Sequence, residues 1–166
     1  GLSINSNNAS QNIIIQSGGS VKNCTLLNGN QGIFFRIESA TKTAVIENNI
    51  IQPQGIGINC QGAGLTAFIK NNTITNSTEF FSGIFAGLDF GPLPSLTVTN
   101  NIINNYASYG IGILGASYNG TINQNSFTGT GIAINRNGNG GNTLLASCNW
   151  FGSSDAGTVA SKITGT

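Results

Sequence analysis

The sequence predicts an all-β solenoid, a chain wound into stacked parallel coils, and three observations lead there. A six-residue phrase occurs three times, as "IENNII" at 46–51, "IKNNTI" at 69–74 and "VTNNII" at 98–103. A second phrase, led by Gly, alternates with it at steps of 23, 28, 27 and 21 residues. Within the phrases apolar residues alternate with period two, the periodicity of a strand and not of a helix. Self-similarity at a period of roughly 20–50 residues is the signature of a repeat architecture.

The elements follow in chain order. "QNIIIQS" from Gln11 is an early, less regular strand, and "VKNCTL" at 21–26 is the first bend phrase. The Gly-led strand then recurs as "QGIFFRI" from Gln31, "QGIGINC" from Gln54, "SGIFAGL" from Ser82, "YGIGILG" from Tyr109 and "TGIAINR" from Thr130. Gly32, Gly55, Gly83, Gly110 and Gly131 take equivalent places in that alignment. Alternation points Ile33, Phe35, Ile37, Ile56, Ile58, Ile84, Ile111, Ile113, Ile132 and Ile134 inward. It points Phe34, Arg36, Glu38, Gly57, Asn59, Phe85, Gly87, Gly112, Leu114, Ala133 and Asn135 outward. These segments are short, β-branched and broken by Gly, Asn and Ser, as strands and turns are. A chain that returns about 4.8 Å further along after each turn pairs in parallel with its own previous coil.

The Asn-rich phrase marks a bend. Asn tolerates the left-handed backbone conformation that such a bend requires. Stacked coils align Asn49, Asn72, Asn101, Asn125 and Asn149 in one column, each amide donating to one neighbour and accepting from the other. Cys24 takes the corresponding place in the first coil and interrupts the ladder. Bonding in series satisfies buried amides that otherwise cost about 1–3 kcal/mol each.

Composition agrees with an ordered, weakly charged domain. Charged residues make up 7% of the chain, against roughly 25% in an ordinary domain. There are 25 Asn, 24 Gly and no His. A net charge of +1 gives no electrostatic reason to expect nucleic acid as a partner, and no apolar run approaches a membrane span of roughly 20 residues. With no basic, apolar leader at Gly1, any secretion signal is expected to lie outside this chain. Cys24, Cys60 and Cys148 fall in different coils and are expected to be small buried thiols; no cofactor or metal is expected.

These repeats resemble the right-handed parallel β-helix of the pectate-lyase-like superfamily, asparagine ladder included. The closing "CNWFGSSDAG" at 148–157 is similar to a segment common at the end of such domains in secreted bacterial surface proteins. The resemblance implies a right-handed parallel β-helix of about six coils over residues 1–166, and a secreted or cell-surface location. The architecture hosts lyases, hydrolases, adhesins and inert scaffolds alike, so the site decides the function.

The outward column is where sugar-acting members of that superfamily build their clefts. A hydrolase needs two carboxylates about 5–10 Å apart. Of five acids, Glu38, Glu47, Glu79, Asp89 and Asp155, only Glu38 and Asp89 come near one face. A polysaccharide lyase or glycoside hydrolase acting on uronate-type polymers is therefore the alternative reading, with Arg36, Glu38 and Asp89 at its cleft. The leading reading is a non-catalytic scaffold for adhesion or carbohydrate contact. Its ligand-binding candidates are Phe34, Arg36, Asn59, Phe85, Asp89 and Phe90, aromatic groups over Gly flanked by amides. The longest insertions, "STEFF" at 77–81 and "LDFGPLPS" at 88–95, neighbour this face. The run "NGNGGN" at 137–142 lacks the acids of a calcium loop and reads as a turn.

Glycosylation sequons start at Asn8, Asn23, Asn71, Asn76 and Asn119, and at Asn23 and Asn71 a glycan is expected to clash with the bend. Residues 152–166 leave the repeat and are expected to cover the last coil. The chain is expected to be the C-terminal part of a longer β-helix, or to have a neighbouring domain or subunit over its N-terminal edge, because open edges invite aggregation.

Overall fold

The computed structural model describes residues 1–7, 10–37, 41–87, 95–114, 119–137 and 144–165. Three short strands make each coil. The first holds β1 (Ser3–Asn5), β2 (Gln11–Ile15) and β3 (Gly19–Lys22). The second holds β4 (Thr25–Leu27), β5 (Gln31–Arg36) and β6 (Lys42–Glu47). The third holds β7 (Ile50–Gln52), β8 (Ile56–Gln61) and β9 (Leu65–Lys70). The fourth holds β10 (Thr73–Ile74), β11 (Phe80–Gly87) and β12 (Ser95–Thr99). The fifth holds β13 (Ile102–Asn104), β14 (Tyr106–Leu114) and β15 (Asn119–Asn123). The sixth holds β16 (Ser126–Thr128), β17 (Ile132–Asn137) and β18 (Leu144–Leu145). A short helix α1 (Ala156–Ser161) and β19 (Ile163–Thr164) follow.

Every pairing is parallel, and the strands sort into three sheets. Sheet 1 runs β1-β4-β7-β10-β13-β16, sheet 2 runs β2-β5-β8-β11-β14-β17-β19, and sheet 3 runs β3-β6-β9-β12-β15-β18. The all-β solenoid of about six coils is thus the observed fold. The core is made of files running along the axis. In sheet 1 one file is Leu26, Ile51, Ile74, Ile103 and Phe127. In sheet 2 it is Ile33, Ile58, Ile84, Ile111 and Ile134, and in sheet 3 it is Val21, Ile46, Ile69, Val98 and Ile122. All of these are buried, and Phe151 extends the first file by stacking on Phe127 with ring centroids 5.7 Å apart. Stacking like on like lets every coil keep the same side-chain rotamers, so a branched residue packs against its own kind at native density.

The glycine alignment of the sequence is corrected by two residues in two coils. Gln31 pairs with Ile56, Ile56 with Ser82, and Tyr109 with Ile132. The stacked file is therefore Gly32, Gly57, Gly83, Gly110 and Ala133, and Gly55 and Gly131 fall outside it. Its members face the core: a Cβ at Gly57 would lie 2.5 Å from Ile74 Cγ2 and 2.5 Å from the Gly83 carbonyl oxygen. Gly57 and Ala133 are inward and buried, contrary to the expected outward placement, while Ile56 and Ile132 move to a half-buried position beside Gln31 and Tyr109.

The bend phrase divides its work between two residues. The left-handed backbone belongs to the residue before the ladder position: Asn23, Asn48, Asn71, Asn100, Gln124 and Cys148 all have φ between 55° and 58°. The ladder itself is the next residue along. Asn72 Oδ1 accepts from Asn49 Nδ2 and from the Asn49 backbone N–H, at 2.9 and 3.0 Å. Asn101, Asn125 and Asn149 repeat the arrangement at 2.9–3.0 Å. At the first coil the Cys24 backbone N–H still donates to Asn49 Oδ1, but its thiol turns back to the Lys22 carbonyl.

Gln124 and Cys148 occupy a backbone conformation that costs a residue with a Cβ about 1–2 kcal/mol and that Asn tolerates better. Gln124→Asn and Cys148→Asn are each expected to raise stability by about 0.5–1 kcal/mol, read as a higher urea midpoint at unchanged m-value. A drop in midpoint for both would show that the bend does not require a left-handed residue there.

At the C-terminal end, Asp155 caps α1 by accepting from the Thr158 backbone N–H at 2.7 Å, which holds its carboxyl below the usual carboxylate range. β19 pairs with β17, and Lys162 Nζ donates to the carbonyls of Gly129, Thr130 and Gly131 at 3.0–3.3 Å. At the other end β1, β2 and β3 each pair on one side only among the described residues.

Candidate functional site

Sheet 2 carries most of the residues singled out by sequence. Its outward file reads Ile14, Phe34, Asn59, Phe85, Gly112, Asn135 and Thr164 in adjacent coils. Beside it run Arg36, Gln61 and Gly87. Phe34 and Phe85 are thus on one file with Asn59 between them, but both rings are half-buried, not fully displayed. Arg36 is half-buried as well.

Asn59 departs furthest from expectation. It occupies an outward position and yet is 3% exposed. Its Nδ2 donates to Gln31 Oε1 at 3.3 Å, while its buried Oδ1 has no hydrogen-bond partner among the described residues.

Glycine makes room for the rings. The Phe85 ring lies against Gly87 and Gly112, where a Cβ would meet it at 2.8 and 3.2 Å, and the Tyr109 ring reaches the same Gly112 at 3.1 Å. Phe81 meets Tyr109 edge to face, with centroids 6.1 Å apart at 83°. Phe81, Phe85 and Tyr109 therefore form one aromatic patch, of which the sequence reading selected only Phe85 for the site. Tyr109 was legible in principle, since it precedes Gly110 where Gln31 precedes Gly32. Phe81, at the end of the "STEFF" insertion, belongs to β11 and not to a loop.

Glu38, Asp89 and Phe90 lie outside the described residues, as do the rest of 88–94, residues 138–142 and the sequon at Asn8. The three described acids are engaged elsewhere. Glu47 bridges Lys22 and Lys70 at 3.1 Å each on the outward face of sheet 3, and hydrogen bonds from Lys70 and Lys22 hold its carboxyl below the usual range. Glu79 accepts from Thr130 Oγ1 at 2.9 Å, and Asp155 caps the helix. Among the described residues no group of three or more Cys, Asp or Glu side chains is arranged to hold a metal ion.

The cysteines are unpaired and differ from one another. Cys60 is buried, and desolvation pushes its thiol up to about 12; Cys24 is half-buried and Cys148 is exposed, so only one of the three is the expected core thiol. Asn23 and Asn71 are also exposed, because the left-handed bend turns them away from the core, so burial presents no obstacle to a glycan there.

A stack of parallel coils with an internal amide ladder and an aromatic, amide-bearing outer face defines a parallel β-helix scaffold. More narrowly, the chain belongs to the family described as "Right handed beta helix region", which matches residues 2–162. No curated protein and no solved structure matches it. Among the described residues no helix is long and apolar enough to cross a membrane.

Proposed function

We propose that this chain is a non-catalytic β-helix scaffold, secreted or displayed on a cell surface, that contacts carbohydrate through the outward face of sheet 2. The observation that carries the reading is the outward aromatic surface of sheet 2, where Phe34 and Phe85 stand two coils apart on one file and Tyr109 and Phe81 extend it. A sugar ring offers an apolar C–H face to such aromatic groups and a rim of hydroxyls to the polar groups at their edge. Low overall charge and a rigid stack favour contact over acid–base chemistry.

The test is a glycan array read with the wild-type chain and two variants. Retention of a defined glycan class is expected, with about tenfold weaker binding for Phe85→Ala. Phe34→Ala, on the same file, is expected to weaken it to a similar degree. An array with no retained glycan, or full retention by both variants, would overturn the reading.

A further inference from the structure

A second face of the molecule bears on a different ligand. The outward file of sheet 1 runs Thr25, Ile50, Thr73, Ile102, Ser126 and then Trp150, which bridges to Ser126 in parallel. From Thr25 onward hydroxyl and apolar side chains alternate from coil to coil, while in the first coil Ser3 stands next to Thr25 and breaks the pattern. The apolar members are open to solvent, with Ile50 at 47%, Ile102 at 45% and Trp150 at 50% exposure. Alongside runs the file of left-handed bend residues, and a groove of about 420 Å³ lies between the two at Ile102, Ser126, Trp150, Asn100, Gln124 and Cys148.

The side-chain amides of Asn100 and Gln124 and the hydroxyl of Ser126 make no hydrogen bond among the described residues, although the neighbouring ladder amides are fully engaged. No side chain lining this groove is charged. An ionic ligand has nothing to pair with, whereas a neutral one with hydroxyl edges meets free donors and acceptors on both sides of an apolar floor. An exposed indole is the best single platform for such a ligand, since it offers a large rigid apolar face at little entropic cost.

We infer that this file binds a neutral β-1,4-linked glycan laid parallel to the helix axis. Coils rise by about 4.8 Å, close to the length of one sugar residue, so successive sugars fall on successive coils. In a β-1,4-linked chain each ring is turned over relative to the last, and the same edge returns at every second residue. The file has that same two-coil repeat: Ile50, Ile102 and Trp150 underlie alternate rings, and Thr73 and Ser126 meet the hydroxyl edges between them. This inference stands apart from the sheet 2 site, because it uses another sheet and other residues.

The experiment exploits the single tryptophan of the chain, Trp150, whose emission reports this file and no other. Cellohexaose and chitohexaose are titrated into the intact protein, and retention on insoluble cellulose and chitin is measured in parallel. At least one of the two hexasaccharides is expected to shift the emission saturably. Trp150→Ala is expected to weaken retention on the matching polymer about tenfold, and Asn100→Ala with Gln124→Ala to weaken it less. Phe68→Ala, an exposed aromatic on sheet 3, is expected to leave it unchanged. Unaltered emission with both hexasaccharides, or Trp150→Ala retained like wild type, overturns the inference. Retention lost only in Phe85→Ala overturns it too, and assigns the binding to sheet 2.

Discussion

Replacing Asn101 by Ala is expected to lower stability by about 3–5 kcal/mol and to reduce Tm by roughly 10 °C. Asn101 sits in the middle of the ladder, and its side chain is fully committed. Oδ1 accepts from the backbone N–H and the Nδ2 of Asn72, at 2.9 and 3.0 Å. Nδ2 donates to the Ile69 and Thr99 carbonyls and to Asn125 Oδ1, each at 3.0 Å. Truncation strands the Asn72 backbone N–H inside the bend, because its bond is to that oxygen, and takes a donor from two carbonyls. The asymmetry of hydrogen-bond energetics makes stranded groups dearer than the bonds are favourable. Asn149, at the end of the ladder, accepts from Asn125 and donates to the Ile122 carbonyl at 2.8 Å, and it is only half-buried. Asn149→Ala should therefore cost less, about 1–2 kcal/mol. Urea unfolding of the two variants checks the gradient. An Asn101→Ala midpoint within error of wild type would show that the ladder does not hold the coils together.

Gly83→Ala is expected to cost about 2–3 kcal/mol, a large effect for one methyl group. A Cβ at Gly83 would stand 2.3 Å from Ile103 Cγ2 and 2.6 Å from the Gly110 carbonyl oxygen, so core and backbone must both give way. The backbone cannot move alone, since the neighbouring coils are tied to it in register. Ala133 occupies the same file with a methyl group, where the next chain segment is the Lys162 carbonyl region and not another Gly-led strand. Gly19→Ala is the control, with nothing within 4 Å of its added Cβ, and should change stability by less than about 0.5 kcal/mol. Equal unfolding midpoints for Gly83→Ala and Gly19→Ala would contradict the close approach.

The two predictions differ in how far each was legible beforehand. The ladder column Asn49, Asn72, Asn101, Asn125 and Asn149 was readable because one bend is copied with its whole local sequence. The allocation of roles within the bend was not. In "NN" both residues are Asn, and only Gln124 and Cys148, which carry the left-handed backbone in front of Asn125 and Asn149, separate the two tasks. The glycine file was readable as a pattern but wrong in phase at Gly55 and Gly131. A shift of two residues keeps the period-two alternation of a strand intact, so alternation cannot detect it. Backbone hydrogen bonds between coils can, and they set Ile56 against Gln31 and Ser82.

For the binding faces the balance is less even. Parity alone set Phe34, Asn59 and Phe85 on one face. The glycine alignment, however, put Gly57 in file with the two Phe and Asn59 beside Arg36. Only the register between coils sets Asn59 between Phe34 and Phe85. That Asn59 would be buried there, or that Tyr109 and Phe85 would meet over Gly112 with Phe81 against the Tyr109 ring, depended on neighbours from other coils. Trp150 is not marked in the sequence because its file mixes Thr, Ile, Ser and Trp, whereas the ladder repeats one residue type in every coil.

The amino-acid sequence by itself determined that this protein is a parallel β-solenoid of about six coils, with an amide ladder at one bend. Period, alternation and bend chemistry are local properties that repetition writes out again in each coil. Only the tertiary structure decided which residues of different coils meet: the phase of the glycine file, the burial of Asn59 and the alternating hydroxyl and apolar stripe ending at Trp150. Those juxtapositions arise between residues more than twenty positions apart, and they are set by inter-coil backbone hydrogen bonds to which the side-chain pattern is blind.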